Sequence, residues 1–219
     1  MRLPELGPFA GMFEKTDRDV PGYLKLLHLQ GDGVDTAIRQ VKAVVHEAIW
    51  EPYAIELLSG PDWRPHLVVC VALISKPKQE VLEALWQAFD SGSWVAPQLA
   101  VAAYFSDPKF AERARSRIEA GCPITPRKRR SVFLRLLAIG TRGTVEQSAK
   151  NMASLLTLCG RLPALSPWIA HIQAQPAVVD LLKIDEAWNR SADIVEQWFL
   201  QITVLFEREG VALDPPDGR

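Results

Sequence analysis

Histidines, cysteines and paired carboxylates are the residues of this 219-residue chain whose types could do chemistry. His46 and Glu47 begin as the zinc-binding pattern HExxH does, in which two histidines one helical turn apart hold the metal. Trp50 stands where the second histidine belongs, so this pattern lacks its second ligand. We therefore expect no metal site here.

The remaining nucleophilic and basic side chains stand apart in the sequence. Cys70, Cys122 and Cys159 are odd in number and widely spaced, which fits neither a disulfide framework nor a pair of zinc ligands. We expect all three to be reduced and buried. His66 follows Pro65 in the first turn of a predicted helix, where we expect it to be half exposed, so it is the histidine to watch for catalysis.

Two weaker patterns do not define a reaction. Gly31–Gly33 opens a predicted helix and could bind an anion, but a tight turn explains the same residues. Glu47 and Glu51 lie one predicted helical turn apart, and a solvated helix face explains them without a third partner. No GxSxG, P-loop or GxGxxG pattern is present. We expect a protein that is not an enzyme and uses no cofactor; the alternative, a helical hydrolase, needs His66 or His46 beside a carboxylate.

Charge is segregated along the chain, although its net value is only −1. Between residues 108 and 150 eleven basic residues outnumber three acidic ones, whereas nine acidic residues outnumber four basic ones between residues 180 and 219. Arg113 and Arg117 share one face of a predicted helix. With the RKRR run that follows, they form the predicted partner-binding set: Arg113, Arg117, Arg127, Lys128, Arg129 and Arg130.

Three interpretations of this basic region stay open at the level of sequence. It can receive an acidic protein partner and steer its approach. It can bind the phosphates of a nucleic acid. It can also pair with the acidic flanks of the same chain. The overall acidity, and the lack of aromatic residues interleaved with the basic ones, argue against nucleic acid.

Helices must position these side chains, because apolar residues recur at helical spacing and strand-like alternation is almost absent. Two segments repeat one pattern: DWRPHLVVCVALI (62–74) and SWVAPQLAVAAYF (93–105) each pass from a polar residue through tryptophan and proline into an apolar run. A more polar helix follows each segment. Pro65 and Pro97 place the period at about 32 residues, a length typical of helical repeats.

We expect each apolar helix to pair with the helix that follows it. Because such pairs cannot bury both faces alone, stacking them makes one continuous core. The tryptophan at the start of each repeat is then expected to cover the end of the preceding pair. Helix boundaries are predicted from N-caps, first-turn prolines and terminal glycines, which are Ser75 and Asp107, Pro77 and Pro108, and Gly92 and Gly121.

These segments resemble HEAT-like α-helical repeats, and SDPKF (106–110) is similar to the Asp-Pro turn common between the helices of that family. The resemblance implies an all-α fold of antiparallel helix pairs stacked as a short solenoid. The alternative is an orthogonal helical bundle of the same helices. A solenoid also implies a concave face that binds another macromolecule.

The second half of the chain continues with helical patterns. Residues 144–147 fit a capping box for a helix that ends near Cys159, and the apolar segment RSVFLRLLAIG (130–140) predicts a central helix. A last helix of roughly 25 residues is expected to be continuous. Its apolar stripe consists of Ile184, Trp188, Val195, Trp198, Ile202 and Phe206.

Composition bounds the remaining expectations. The chain is 48% hydrophobic and 23% charged, which is ordinary for a soluble globular protein. Its first twenty residues lack the apolar region of a signal peptide, and its apolar runs are too short to span a bilayer. We expect a cytoplasmic protein without membrane contact and one all-α domain over residues 1–219, with an irregular N-terminus at 1–18 and a loose tail at 210–219.

Together these features predict a non-enzymatic protein-binding module. The most concrete form of this prediction is a bacterial immunity protein that neutralises a cognate toxin by covering its active or substrate face. The alternatives are a nucleic-acid-binding HEAT-like repeat protein that uses the basic region 108–150, and an adaptor or scaffold.

Overall fold

A computed structural model describes residues 3–14, 20–125 and 141–213, and every regular element in these ranges is helical. The predicted all-α fold class is therefore confirmed. Within these ranges, no helix combines the length and the hydrophobicity that a membrane span requires. After 3₁₀ turns at Leu3–Met12, the α-helices are α1 (Gly22–His28), α2 (Val34–Glu47), α3 (Glu51–Ser59), α4 (Arg64–Ser75), α5 (Gln79–Asp90), α6 (Ala96–Ser106), α7 (Phe110–Glu119), α8 (Thr141–Cys159), α9 (Ser166–Gln173), α10 (Pro176–Trp188) and α11 (Ser191–Arg208).

The helices contact neighbours two positions away in the chain, as stacked repeats do. The even-numbered helices α2, α4, α6 and α8 pack side by side in that order and form one row. The odd-numbered helices α3, α5 and α7 lie on the other side of the chain's path: α3 packs against α5, and α3, α5 and α7 contact α4, α6 and α8 of the even-numbered row, respectively. The period of the sequence repeat is thus the step from one helix to the next within a row.

The pairing within each repeat differs from the prediction. Helix α5 packs closely on α3 and α6, whereas α4–α5 and α6–α7 are not close pairs within the described chain. The cause is the residue before each proline, which proline forces out of the helical region. Lys76 before Pro77 (φ −151°, ψ 87°) and Asp107 before Pro108 (φ −104°, ψ 109°) are non-helical. These prolines end α4 and α6 and carry the chain across to the other row, and they do not open the next helix.

The helix ends predicted from the two glycines are confirmed, whereas only one of the two predicted N-caps is. Gly92 and Gly121 have φ values of 77° and 78°, the left-handed conformation that glycine favours after a helix. Asp107 accepts a hydrogen bond from the backbone N–H of Lys109 at 2.8 Å, just before α7. Ser75 is instead the last residue of α4, where its hydroxyl donates to a carbonyl one turn earlier.

The predicted last helix is divided into α10 and α11. Arg190 lies between them in the left-handed region, with φ 51°. The buried carboxylate of Asp185 accepts hydrogen bonds from Ser191 Oγ at 2.6 Å and Ser191 N at 2.8 Å, so it caps α11 from the preceding helix. Trp188 is consequently 63% exposed, and Ile184 is half-buried. The rest of the predicted stripe is buried: Val195, Trp198, Ile202 and Phe206.

Two other expectations about the ends of elements need correction. Helix α8 ends at Cys159 as predicted, but it already contains Thr141, so residues 144–147 lie inside the helix and do not cap it. The segment 130–140 lies outside the described residues. Near the N-terminus, where an irregular segment is expected, the 3₁₀ turns bury Leu6, Phe9 and Met12 in the core.

Helices α4 and α6 form the centre of the core. Every side chain from Pro65 to Ile74 and from Ala96 to Tyr104 is buried, because each helix has a neighbour on every side. Helix α11 closes the stack by packing on α6 and α8. Its Trp198 indole N–H donates to the carbonyl oxygen of Leu26 in α1 at 2.9 Å, so the first and last helices touch.

We predict that Leu67→Ala and Leu99→Ala each lower the free energy of unfolding by about 2–5 kcal/mol, because both side chains are fully buried and truncation leaves a cavity. Urea unfolding followed by circular dichroism measures this change. Leu200→Ala is the matched control, since Leu200 is 55% exposed, and its effect should stay within about 0.5 kcal/mol. A loss below about 1 kcal/mol for Leu67→Ala or Leu99→Ala would contradict a central position for these helices.

Candidate binding surface

Arg113 and Arg117 are the two described members of the predicted basic set, and both reach from α7 toward α5. Arg117 donates through Nε and Nη2 to the two carboxylate oxygens of Asp90, at 2.7 and 2.8 Å. Arg113 forms an ion pair with Glu83. The carboxylates of these two ion pairs belong to α5 and not to the acidic C-terminal region. These charge-assisted bonds tie α7 to α5.

A buried carboxylate completes this connection between helices. The side chain of Asp107 is 1% exposed, and a buried charge requires hydrogen-bond partners. Its Oδ2 accepts the indole N–H of Trp86 at 2.7 Å and lies 3.4 Å from Arg113 Nε. The guanidinium of Arg117 stacks over the Trp86 ring, 4.1 Å from the ring centroid. Trp86 is thus held between an acid and a cation.

The ion pair shifts the pKa values of both of its members. The hydrogen bond from Arg113 lowers the pKa of Glu83 below its ordinary value. The same hydrogen bond raises the pKa of Arg113. Both groups stay ionised at neutral pH, so the contact between α5 and α7 keeps its electrostatic component.

The rest of the basic set, Arg127, Lys128, Arg129 and Arg130, lies outside the described residues. The described chain ends before this run at Thr125, whose backbone N–H donates to the carbonyl oxygen of Asp90 at 2.8 Å. The partner-binding role of the set stays a prediction.

His66 is buried and not half exposed. It is 2% exposed, and its Nδ1 lies 2.8 Å from the hydroxyl of Ser93, which is 8% exposed. A histidine beside a serine has the spacing of a base and a nucleophile, but burial closes this pair to a substrate. The other histidines, His28, His46 and His171, are exposed. The described ranges contain no group of three or more metal-binding side chains.

The three cysteines are buried and unbonded to one another, as expected. Burial raises the pKa of the Cys122 and Cys159 thiols to about 12, and it raises that of Cys70 as well. Because the thiolate is the reactive form, these side chains behave as small apolar residues.

The structure gives both weak sequence patterns a local explanation. Gly31 and Gly33 have φ values of 83° and 85°, which agrees with a tight turn before α2. Glu47 ends α2 and Glu51 begins α3, so they do not share a helix face. Glu51 instead pairs with Lys78 at 3.0 Å.

Four rings line up along one edge of the stack, and we call this set the aromatic row: Phe13, Tyr23, Trp63 and Trp94. Phe13 and Tyr23 are stacked with centroids 5.2 Å apart. Tyr23 meets Trp63 edge to face at 6.4 Å, and Trp63 meets Trp94 at 4.7 Å. These are favourable distances for pairs of aromatic rings.

The sequence repeat explains half of the aromatic row. Trp63 immediately precedes α4, and Trp94 lies two residues before α6. Because α4 and α6 pack side by side, equivalent positions of the two repeats meet. Trp63 meets Tyr23 in the first turn of α1, whereas the expected contact was with the end of the preceding helix pair. Trp94 forms the open end of the row and is 54% exposed. Nothing in the spacing of Phe13 and Tyr23 indicates that they join it.

A cavity lies close to the open end of the aromatic row. It has a volume of about 270 Å³, and its lining includes Asp90, Arg117, Cys122 and Asn151. Helix α8 connects the cavity with the row, because the neighbouring residues Lys150 and Asn151 bind opposite ends of the turn between α5 and α6. Lys150 Nζ donates to the carbonyl oxygen of Trp94 at 3.2 Å, and Asn151 Nδ2 donates to that of Phe89 at 3.0 Å.

No protein-family model, curated protein or solved structure matches this chain. The likeness to HEAT-like repeats therefore rests on the sequence segments given above.

We predict a favourable coupling of about 1 kcal/mol between Arg117 and Asp90 in a double-mutant cycle of unfolding free energies, because the pair is bidentate and partly buried. The variants are Arg117→Met, Asp90→Asn and their combination. The exposed pair Arg115–Glu119 provides a matched control with a smaller coupling. A coupling near zero for Arg117–Asp90 would mean that Arg117 does not hold α7 to α5 and is free to engage an external partner.

We predict that the buried thiols make the protein less stable at alkaline pH. Unfolded thiols ionise near pH 9.0, whereas folded Cys122 and Cys159 hold their protons to about 12. Below pH 9 the thiols are protonated in both states, and the free energy of unfolding is unaffected by them. Between pH 9 and about 12 only the unfolded thiols ionise, so the free energy of unfolding falls by at most about 1.4 kcal/mol per pH unit for each thiol. Urea unfolding under reducing conditions at pH 7 to 10.5 measures the slope. Cys159→Ala should make it shallower, and a slope identical to that of the unsubstituted protein would refute this account.

Proposed function

We propose that this chain is a protein-binding module that engages its partner through the aromatic row. The observation that carries the proposal is the half-exposed Trp94 at the end of a row of packed rings. Tryptophan and tyrosine dominate the energetics of many protein interfaces. Because each ring of the row rests on the next, the surface is ordered before a partner arrives, which reduces the entropy cost of binding.

The surroundings of the aromatic row suit a protein partner better than a nucleic acid. Arg64 lies over the Trp63 ring with its Cζ 5.0 Å from the centroid, and it pairs with Asp62 at 3.1 Å. Apolar rings bordered by a polar pair resemble the core and rim of a protein interface. Nucleobases can also stack on aromatic side chains, but the described arginines Arg64, Arg113 and Arg117 all have acidic partners, which compete with phosphate groups for them.

The most concrete form of this function is that of an immunity protein, which neutralises a toxin by covering its active or substrate face. Its support is the combination of a small helical stack with an ordered aromatic surface. An adaptor or scaffold uses the same surface in the same way and differs only in what the partner does.

We predict that Trp94→Ala weakens binding of the partner by about 30-fold or more, because interface tryptophans often contribute 2 kcal/mol or more. Affinity capture from a nuclease-treated lysate of the source organism supplies the partner, and calorimetry with the purified partner measures the affinity. Trp188→Ala is the matched control, since Trp188 is similarly exposed on α10 and should leave affinity unchanged. Circular dichroism checks that both variants fold.

Equal affinity for the Trp94→Ala variant and the unsubstituted protein would remove the aromatic row from the interface. Capture that depends on intact nucleic acid, and that weakens steeply as salt rises, would favour the nucleic-acid alternative. Co-expression separates the two protein-binding forms. For an immunity protein, the partner alone arrests growth, this chain restores growth, and the Trp94→Ala variant does not; a harmless partner indicates an adaptor.

A further inference from the structure

Two tryptophans of the aromatic row carry indole N–H groups that the protein itself does not use. The indole N–H groups of Trp86 and Trp198 each donate to an acceptor inside the fold. Those of Trp63 and Trp94 donate to none within the described part of the chain. Trp94 is 54% exposed, and the indole nitrogen of Trp63 reaches solvent, whereas the unpaired one of Trp50 is buried. The row therefore combines open ring surface with unpaired hydrogen-bond donors.

The rings of the aromatic row are turned relative to one another and do not form a flat platform. From Phe13 through Tyr23 and Trp63 to Trp94, successive ring planes are inclined by 24°, 77° and 49°. A planar ligand such as a nucleobase stacks over a single ring face. Rings that meet at an angle form corners instead, and corners suit compact apolar groups that are not planar.

The backbone of a ligand decides whether it can accept from the indole donors. Most carbonyl oxygens of an α-helix are bonded within the helix. A β-strand ligand adds to the edge of a sheet, and the described ranges contain no strand. A polyproline II segment has no internal hydrogen bonds, so all of its carbonyl oxygens are open to a donor. The unpaired indole groups therefore match a ligand in this extended conformation.

We propose that the aromatic row binds a proline-rich segment of the partner in the polyproline II conformation. This inference rests on the proposed function and names the chemistry of the partner at that surface. Prolyl rings pack on Trp94 and along the partly exposed rings beside it, and backbone carbonyl oxygens of the segment accept from the indole N–H groups. The rings support one another and proline fixes the backbone of the ligand, so both surfaces are ordered before they meet, which lowers the entropy cost of binding.

The length of the aromatic row sets the length of the segment. Centroid distances of 5.2, 6.4 and 4.7 Å limit the row to about 16 Å, and polyproline II rises about 3.1 Å per residue, so about five or six residues cover it. The charged groups beside Trp63, which are Arg64 and Asp62, pair with each other. The segment therefore needs no charge of its own.

Titration of the ¹⁵N-labelled full-length protein with N-acetyl-hexaproline amide tests the proposal, because indole N–H groups give resonances separate from those of backbone amides. We expect saturable shifts of the Trp63 and Trp94 indole resonances, which are assigned by their loss in Trp63→Phe and Trp94→Phe. The resonance of Trp188 is the internal control, since this ring is similarly exposed outside the row, and it should not shift. A hexapeptide of alternating glycine and serine lacks both the rings and the fixed backbone, and it should bind about tenfold more weakly or worse.

Two substitutions at the exposed Trp94 separate the ring from its donor without disturbing the core. Trp94→Phe keeps an aromatic ring but removes the N–H, so it should weaken hexaproline binding about threefold or more. Trp94→Ala removes both and should weaken it further. The absence of saturable indole shifts with hexaproline, equal affinity for the glycine–serine peptide, or undiminished binding by Trp94→Ala overturns the proposal.

The captured partner distinguishes failure of this inference from failure of the proposed function. Displacement of the partner by hexaproline supports both. If Trp94→Ala weakens partner binding but hexaproline does not bind, the polyproline II ligand is refuted and the proposed function stands. If partner binding is unchanged by Trp94→Ala, the proposed function is refuted, and with it the assignment of this ligand to the partner.

Discussion

Two helices without a polar face determine the architecture of this protein. Water can solvate no side of α4 or α6, so each must be covered in every direction by another helix. The even-numbered row provides two neighbours, α3 and α5 provide others, and α1 and α11 close the remaining sides. The aromatic row and the cavity both lie at positions set by this arrangement, beside the segments that lead into α4 and α6.

Sequence patterns predicted what depends on local chemistry. The apolar runs of α4 and α6, the left-handed glycines Gly92 and Gly121, and the buried cysteines follow from residue type and spacing. The pairing of helices did not, because Pro77 and Pro108 suit a helix's first turn as well as its preceding linker. The break before α11 depends on the buried carboxylate of Asp185, which a helical pattern cannot distinguish from a surface acid.

Less of the candidate site than of the fold was predictable from the sequence, because its contacts join distant parts of the chain. The acids that hold Arg113 and Arg117 lie about 30 residues earlier in the chain, and only the tertiary fold brings them within reach of α7. The tryptophans at the start of the two repeats were recognisable as equivalent. Their contact with each other, and the exposure of Trp94, required knowledge of which helices are neighbours. Asn151 carried no signal, because a polar residue within an amphipathic helix is ordinary.

The contact of the first and last helices has a consequence for how the chain folds. Stacked repeats that touch only their neighbours can fray from either end, and their stability is nearly a sum over repeats. Here Trp198 binds a carbonyl oxygen in α1, and Lys42 pairs with Glu209, so each end of the chain buries part of the other. Loss of α1 or α11 therefore removes these contacts and also uncovers part of α4 or α6. The protein is expected to unfold in one cooperative transition, and to fold more slowly than an open array because its closing contacts join distant parts of the sequence.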